Sequence, residues 1–148
     1  MPTTGERVDP YRGFNFAVEI DNTNVAGFRE SSGLTFTTDP IEYREGNSTQ
    51  LHVLKLPGLT KYGNIQLRRG FTQNLELWNW YLTVVNGAPE RKAGAIVLRD
   101  EEQQPVVRWR FVEGWVCKWE GPAMNATTNE VAIESIEICV ERVDIVPV

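Results

Sequence analysis

The sequence predicts a mainly β protein: a sandwich or barrel of about eight strands with one α-helix on its flank. Three observations carry this reading. Apolar and polar residues alternate along most of the chain, which is the period of half-buried strands. Clusters of turn-forming residues separate those stretches. Only one segment, 73–86, places apolar residues at helical spacing. The 148 residues fit a single domain, 1–148, and 41% hydrophobic with 24% charged residues is the balance of a chain that buries a core.

The first strand spans 14–21, where Phe14, Phe16, Val18 and Ile20 alternate with Asn15, Ala17, Glu19 and Asp21. Turn chemistry at Asp21-Asn22-Thr23-Asn24 leads to a second strand over 25–28, with a bulge at Gly27. A third strand covers 34–43, and Pro40 puts its far half at an edge or a break because proline has no N–H for a ladder. The segment 44–63 alternates poorly: Leu51, Val53 and Leu54 of its central strand, 51–56, do not share a face. It is too long for a tight connection, and apolar residues without a local face need a partner surface. It is therefore expected to protrude as a loop or hairpin. The N-terminal 1–12 reads as an arm.

After a strand at 65–69 comes the helix, with Thr72 as its N-cap and Gly87 and Pro89 as its stop. Leu75, Trp78, Leu82 and Val85 form the stripe expected to pack on the sheet. Leu77, Tyr81 and Val84 form a second stripe beside it. Trp78 and Trp80 point about 160 degrees apart on a helix, so Trp80 is expected to face outward toward a neighbour. Strands follow at 95–100, 106–111, 114–119 and 130–143. In the last, the apolar phase changes from odd to even positions, which a bulge near Ser135 or a switch between sheets would explain.

Chemistry is sparse. No stretch approaches 18 consecutive apolar residues, so no membrane span or membrane binding is expected. The first thirty residues lack the basic head and apolar run of a secretory signal. The chain has one histidine, His52, and two cysteines, Cys117 and Cys139, too few for a zinc site and read as buried reduced thiols. No phosphate-binding glycine loop occurs. Glu134, Glu137 and Glu141 read as a water-facing row. No catalytic residue, metal ligand or cofactor is expected, and the protein reads as a non-enzyme. An exposed row of Trp109, Trp115 and Trp119 would instead make a carbohydrate-binding sandwich, the reading from a different class.

Charge distribution says more than the net charge of −5. Residues 1–43 hold seven acids and three bases, whereas 44–70 hold Arg44, Lys55, Lys61, Arg68 and Arg69 against Glu45 alone. Residues 130–148 are again acidic, with five acids and one base. A basic centre between acidic ends suits a subunit that joins its own copies head to tail.

Six stretches, in order, resemble the tail-tube proteins of contractile phages: DPYRGFNFAVEID, VAGFRESSGL, IEYREG, KLPGLTKYGNIQLRRG, ELWNWYLTVVNG and WEGPAMNATTNEVAIESIEI. The likeness is strongest to the inner-tube subunits of phage-tail-like contractile injection systems, and it covers about residues 9–143. It implies hexameric rings stacked into a hollow tube inside a contractile sheath. Each subunit would give about four strands to a ring-wide barrel on oligomerisation, about 48 Å across by strand spacing and tilt. The implied partners are other copies of the chain, sheath subunits, baseplate and tube-terminator proteins, and cargo in the lumen. Assembly would take place in the bacterial cytoplasm, within a phage tail or a released particle. A contractile-phage tail tube conducting DNA is the nearest alternative. The residues expected at contacts between subunits are Arg44, Glu45, Leu51, Val53, Leu54, Leu56, Leu59, Lys61, Tyr62 and Trp80. Asn15, Glu19 and Asp21 are expected to face an acidic lumen.

Overall fold

The computed structural model describes residues 9–147 apart from 14, 22, 26, 48, 50 and 128. Most of the expected N-terminal arm, and Phe14 and Asn22 of the first strand and turn, lie outside the described residues. Among the described residues, ten strands and one helix occur in chain order. They are β1 (Phe16–Ile20), β2 (Thr23–Val25), β3 (Phe28–Ser32), β4 (Phe36–Tyr43), β5 (Leu54–Tyr62), β6 (Ile65–Gly70), α1 (Glu76–Val85), β7 (Lys92–Arg99), β8 (Pro105–Glu120), β9 (Ile133–Cys139) and β10 (Arg142–Pro147). The fold is mainly β with a single helix, as the periodicity predicts.

Eight strands run in the order β2-β1-β7-β8-β9-β6-β3, with β10 also paired to β8, and β4 and β5 form a separate pair. Every pairing is antiparallel. The sixteen-residue β8 joins two layers: its first half pairs with β7 and β10, and its second half with β9. The bend falls at Glu113, with φ of 55°, and Gly114. A Cβ at Gly114 would sit 2.9 Å from the Phe111 ring, and one at Gly94 only 2.6 Å from it. Both positions need glycine so that the Phe111 ring can lie in the core. The sheet stays open, since its end strands β2 and β3 do not pair with each other.

Neither a bulge nor a change of layer lies at the odd-to-even change in the last strand: Val131 is exposed before β9 and Ile133 is half-buried at its start, while the buried face of β9 is even-numbered. Ser135 holds regular register with Arg68 and Glu120, and a break in the strand falls at 140–141 between β9 and β10. Glu134, Ile136 and Ile138 are buried before the break, and Val143 after it. The expected strand over 25–28 is divided between the end of β2 at Val25 and the start of β3 at Phe28, and Gly27 before β3 has φ of 91°. The strand expected at 51–56 begins at Leu54 and continues to Tyr62.

The core gathers Val18, Ile20, Ile96, Phe111 and Val143 from one layer, Ile65, Leu67, Val116, Ile136 and Ile138 from the other, and Leu77 and Trp80 from α1. The helix begins three residues later than expected, at Glu76. Thr72 does not cap it; Leu75 holds the cap position and the Asn74 carboxamide oxygen accepts the Glu76 N–H at 3.0 Å. Gly87 does end it, with φ of 82° and its N–H donating to the Val84 carbonyl.

The core-facing stripe is the second one. Leu77 and Trp80 are buried, whereas Leu75 and Val85 are exposed. Trp80 is 4% exposed, and its indole N–H donates to the Glu90 carbonyl at 2.8 Å. It is therefore a core residue of its own subunit, which removes it from the expected contacts between subunits. Both stripes are apolar, so helical spacing does not rank them, and the indole N–H finds its acceptor in the connection before β7. Trp78 is half-buried and packs edge-on against Trp119, centroids 4.7 Å apart.

Candidate functional site

Two surfaces remain after the core is accounted for. The first is the ribbon formed by β4 and β5. Its ladder runs from Phe36 opposite Tyr62 to Tyr43 opposite Leu54, with a slip between Thr38 and Pro40 where proline interrupts the hydrogen bonds. Every residue of β4 is exposed, and on β5 only Gly58 and Tyr62 are half-buried. The substantial packing of each strand is against the other.

Register sorts this ribbon into unlike faces. Ile41 pairs with Leu56 and Tyr43 with Leu54, so these four apolar side chains share one face near the tip. Pro40, Glu42, Lys55 and Pro57 occupy the other. At the base, the Phe36 and Tyr62 rings meet edge-on at 5.3 Å, and the Thr38 and Thr60 hydroxyls lie 2.9 Å apart. Lys61 approaches Asp39 at 3.4 Å.

The structure places Arg44, Glu45, Leu51 and Val53 in the connection 44–53, and Leu54, Leu56, Leu59, Lys61 and Tyr62 on β5. Leu51 is 94% exposed and Leu59 78%. Of the expected contact residues, all but Trp80 thus stand on this one ribbon. Phe36, Ile41 and Tyr43 also belong to it and escaped the sequence reading. The signal was present: the turn at 44–53 makes 36–43 the natural antiparallel partner of 54–62.

The second surface is the face of β1, β7, β8 and β10 that points away from the core. It holds a groove of about 710 Å³ lined by Glu19, Asp21, Ala95, Arg108, Arg110 and Asp144, among others. Arg108 Nη1 donates to Glu19 Oε2 at 2.9 Å. Lys92 lies 3.8 Å from Asp21, and Arg142 Nε donates to Asp144 Oδ1 at 3.1 Å. Glu19 and Asp21 share this face, but Asn15 is buried and its carboxamide donates to the Asp100 carbonyl. Asn15 is therefore a structural tie between β1 and the turn after β7, not a surface residue. The face carries interleaved arginines, so the uniformly acidic surface expected from β1 alone is corrected to one of mixed charge.

The remaining chemistry-bearing residues fall elsewhere. Trp109 and Trp119 pack on the core, and Trp115 sits opposite Cys139 on the other face of its layer, so the strand tryptophans make no row. Glu134 is not water-facing: it is wholly buried and its Oε1 accepts from Arg69 Nε at 2.6 Å. Its Oε2 accepts from the Trp119 indole at 3.2 Å. His52 is exposed on the ribbon's connection, and no group of acidic, histidine and cysteine side chains suited to a metal occurs among the described residues.

Solved structures resemble this one along nearly its whole length. A chain of the PVC extracellular contractile injection system, solved as a sheath-tube complex in the extended state, is 28% identical with a TM-score of 0.84, covering 94% of this chain and 93% of that one. A chain from the tube-terminating cap of the anti-feeding prophage is 27% identical with a TM-score of 0.83, covering 100% of both. Hcp1 from Flavobacterium johnsoniae, at 15% identity and a TM-score of 0.55, covering 89% of this chain and 94% of that one, shares the fold. No curated protein matches. The family described as T4-like virus tail tube protein gp19 matches residues 12–144, and the chain belongs to that tail-tube family.

Proposed function

We propose that this chain is the inner-tube subunit of a contractile injection system, closing into hexameric rings that stack head to tail inside a sheath. The observation that carries this reading is the β4–β5 ribbon, whose apolar face of Ile41, Tyr43, Leu54 and Leu56 has no substantial partner among the described residues of the subunit. In a chain of the tail-tube family the natural occupant is a second copy. The ribbon's tip and β5 carry Arg44, Lys55 and Lys61, and the acidic N- and C-terminal regions of the next copy supply opposite charge.

The open sheet supports ring closure. Its terminal strands leave backbone groups that a neighbouring subunit's strand would satisfy, and a ring-wide barrel removes such edges. The mixed-charge face bearing Glu19 and Asp21 is the lumen lining in this reading. The role is passive: shape and assembly do the work, without catalysis. The 27–28% identity to chains from the PVC injection system and the anti-feeding prophage cap favours an injection-system tube over a phage tail tube. Sheath, baseplate and terminator proteins are the partners, and assembly precedes release of the particle from the bacterial cytoplasm.

Deletion of residues 46–53 tests the reading. Negative-stain imaging should show that the full chain forms tubes of uniform diameter while the deletion stays folded without stacking. Normal tubes from the deletion would remove the ribbon from the assembly.

A further inference from the structure

The outer face of the β6–β9–β8 layer, opposite the core, carries two half-buried thiols that the tube reading does not use. Cys117 is the extra residue where the β8–β9 register slips between Val116 and Lys118. Cys139 pairs with Trp115 just before that slip. In a regular ladder a residue at 117 would face 137 and stand diagonal to 139, roughly 7–8 Å away. That separation is too long for a disulfide.

The bulge alters this geometry, and both sulfurs converge on one side chain. Cys139 Sγ donates to Asn64 Oδ1 at 3.3 Å, and the same carboxamide's Nδ2 lies 3.9 Å from Cys117 Sγ. The charge of Cys139 also acts on the Cys117 thiol and helps to raise it. Cys117 Sγ further donates to the Glu137 carbonyl at 3.4 Å, and Asn64 Nδ2 is held by Glu137 Oε1 at 2.8 Å. Asn64, anchored on Glu137, thus acts as a template that keeps the pair together.

We propose that Cys117 and Cys139 are a modification site: a dithiol that exchanges with a small-molecule disulfide to form a cross-strand bond stapling β8 to β9. The protein thiolate that reacts first attacks one sulfur of the small disulfide, forming a mixed disulfide and expelling a small thiolate, which takes up a proton. The second protein thiol loses its proton and attacks the protein sulfur of that mixed disulfide, expelling the second small thiol. In sum, two Cys S–H bonds and one small-molecule S–S bond become one Cys–Cys bond and two small thiols. The cysteines lose two electrons and the small disulfide gains them.

The environment orders the steps. Burial, then the neighbouring charges of Cys139 and Glu137, pushes the Cys117 thiol up to about 11. Cys139 therefore reacts first, and its capping removes one of the charges that hold Cys117 protonated. The bond would close the connection 121–132, which has neither strand nor helix among its described residues. Constraining so long a segment restricts the unfolded chain and stabilises the fold.

The experiment uses the whole chain with oxidised glutathione at pH 8, followed by intact-mass measurement without reductant and a thermal melt. The expected product is a monomer lacking two hydrogens, with a melting temperature several degrees higher that dithiothreitol returns to its starting value. Cys117→Ser should retain a stable glutathione adduct on Cys139, and Cys139→Ser should react much more slowly. Wild-type chain that keeps adducts on both cysteines, links into disulfide dimers, or retains both free thiols at equilibrium would overturn the proposal.

Discussion

Glu134 loses all contact with water in this fold, and Arg69 is what makes that tolerable. Its guanidinium also donates to the Asn74 carbonyl just before α1 and lies 5.7 Å from the Phe28 ring centroid, so one side chain ties together β3, β6, β9 and the helix start. Arg69→Met leaves a buried carboxylate without its partner and should cost about 3–5 kcal/mol in chemical denaturation. The double variant with Glu134→Met should recover most of that loss, because a matched apolar pair carries no desolvation penalty. Trp80→Ala should likewise cost about 3–5 kcal/mol of fold stability. Trp78→Ala, at a half-buried ring that packs on Trp119, should cost less than Trp80→Ala by the same denaturation measurement. Cys117 adds a pH dependence. Its thiol is raised from the ordinary 9.0 to about 11, so the fold favours the neutral form. The stability it contributes is complete below pH 9 and is lost as pH rises through about 11. Thermal melts of the reduced chain should therefore fall more steeply between pH 9 and 11 for wild type than for Cys117→Ser.

At the scale of elements, the ribbon and the helix show opposite relations between sequence and place. The ribbon's apolar residues lie on strands that touch little but each other, so replacing one should spare the subunit and harm the assembly. Leu56→Asp puts a charge in the middle of the exposed apolar face. It should shift monomer stability by no more than about 0.5 kcal/mol, as exposed substitutions do. The same change should abolish tubes in negative-stain images, since a desolvated carboxylate without a partner is costly at an interface. The helix has two apolar stripes, and helical spacing alone ranks them equally. Leu77 and Trp80 are the helix residues that end up buried, with the Trp80 indole N–H on the Glu90 carbonyl in the connection before β7 and the Lys92 ammonium 5.3 Å from its ring.

For the whole molecule, the open sheet and its mixed-charge face make an orientation prediction. If that face lines a lumen, a cysteine placed at Asp21 should react with a small maleimide in assembled tubes and resist a bulky one that cannot enter the bore. Dissociated subunits should react with both reagents. Rapid bulky labelling along intact tubes would put the face on the outside. Ion pairing of Glu19 with Arg108 and of Asp144 with Arg142 leaves this surface close to balanced. A balanced wall gives little long-range pull on cargo of either sign.

Period-two alternation, one helical segment and the turn residues were enough to determine a mainly β chain with a single flanking helix. Those signals are local, set by side chains two or four residues apart, and need no knowledge of the rest of the molecule. The apolar, poorly alternating stretch after residue 44 was also legible as a segment without a face of its own. What only the tertiary structure decided were the pairings between distant residues. The burial of Glu134 depends on Arg69, 65 positions away, and the tie from Asn15 depends on Asp100, 85 away. A lone carboxylate or carboxamide in a strand is polar to any local reading, and its burial becomes favourable only once a partner arrives from another strand. The same holds for Cys117 and Cys139, which a register slip and the Asn64 side chain from the turn before β6 bring to one place.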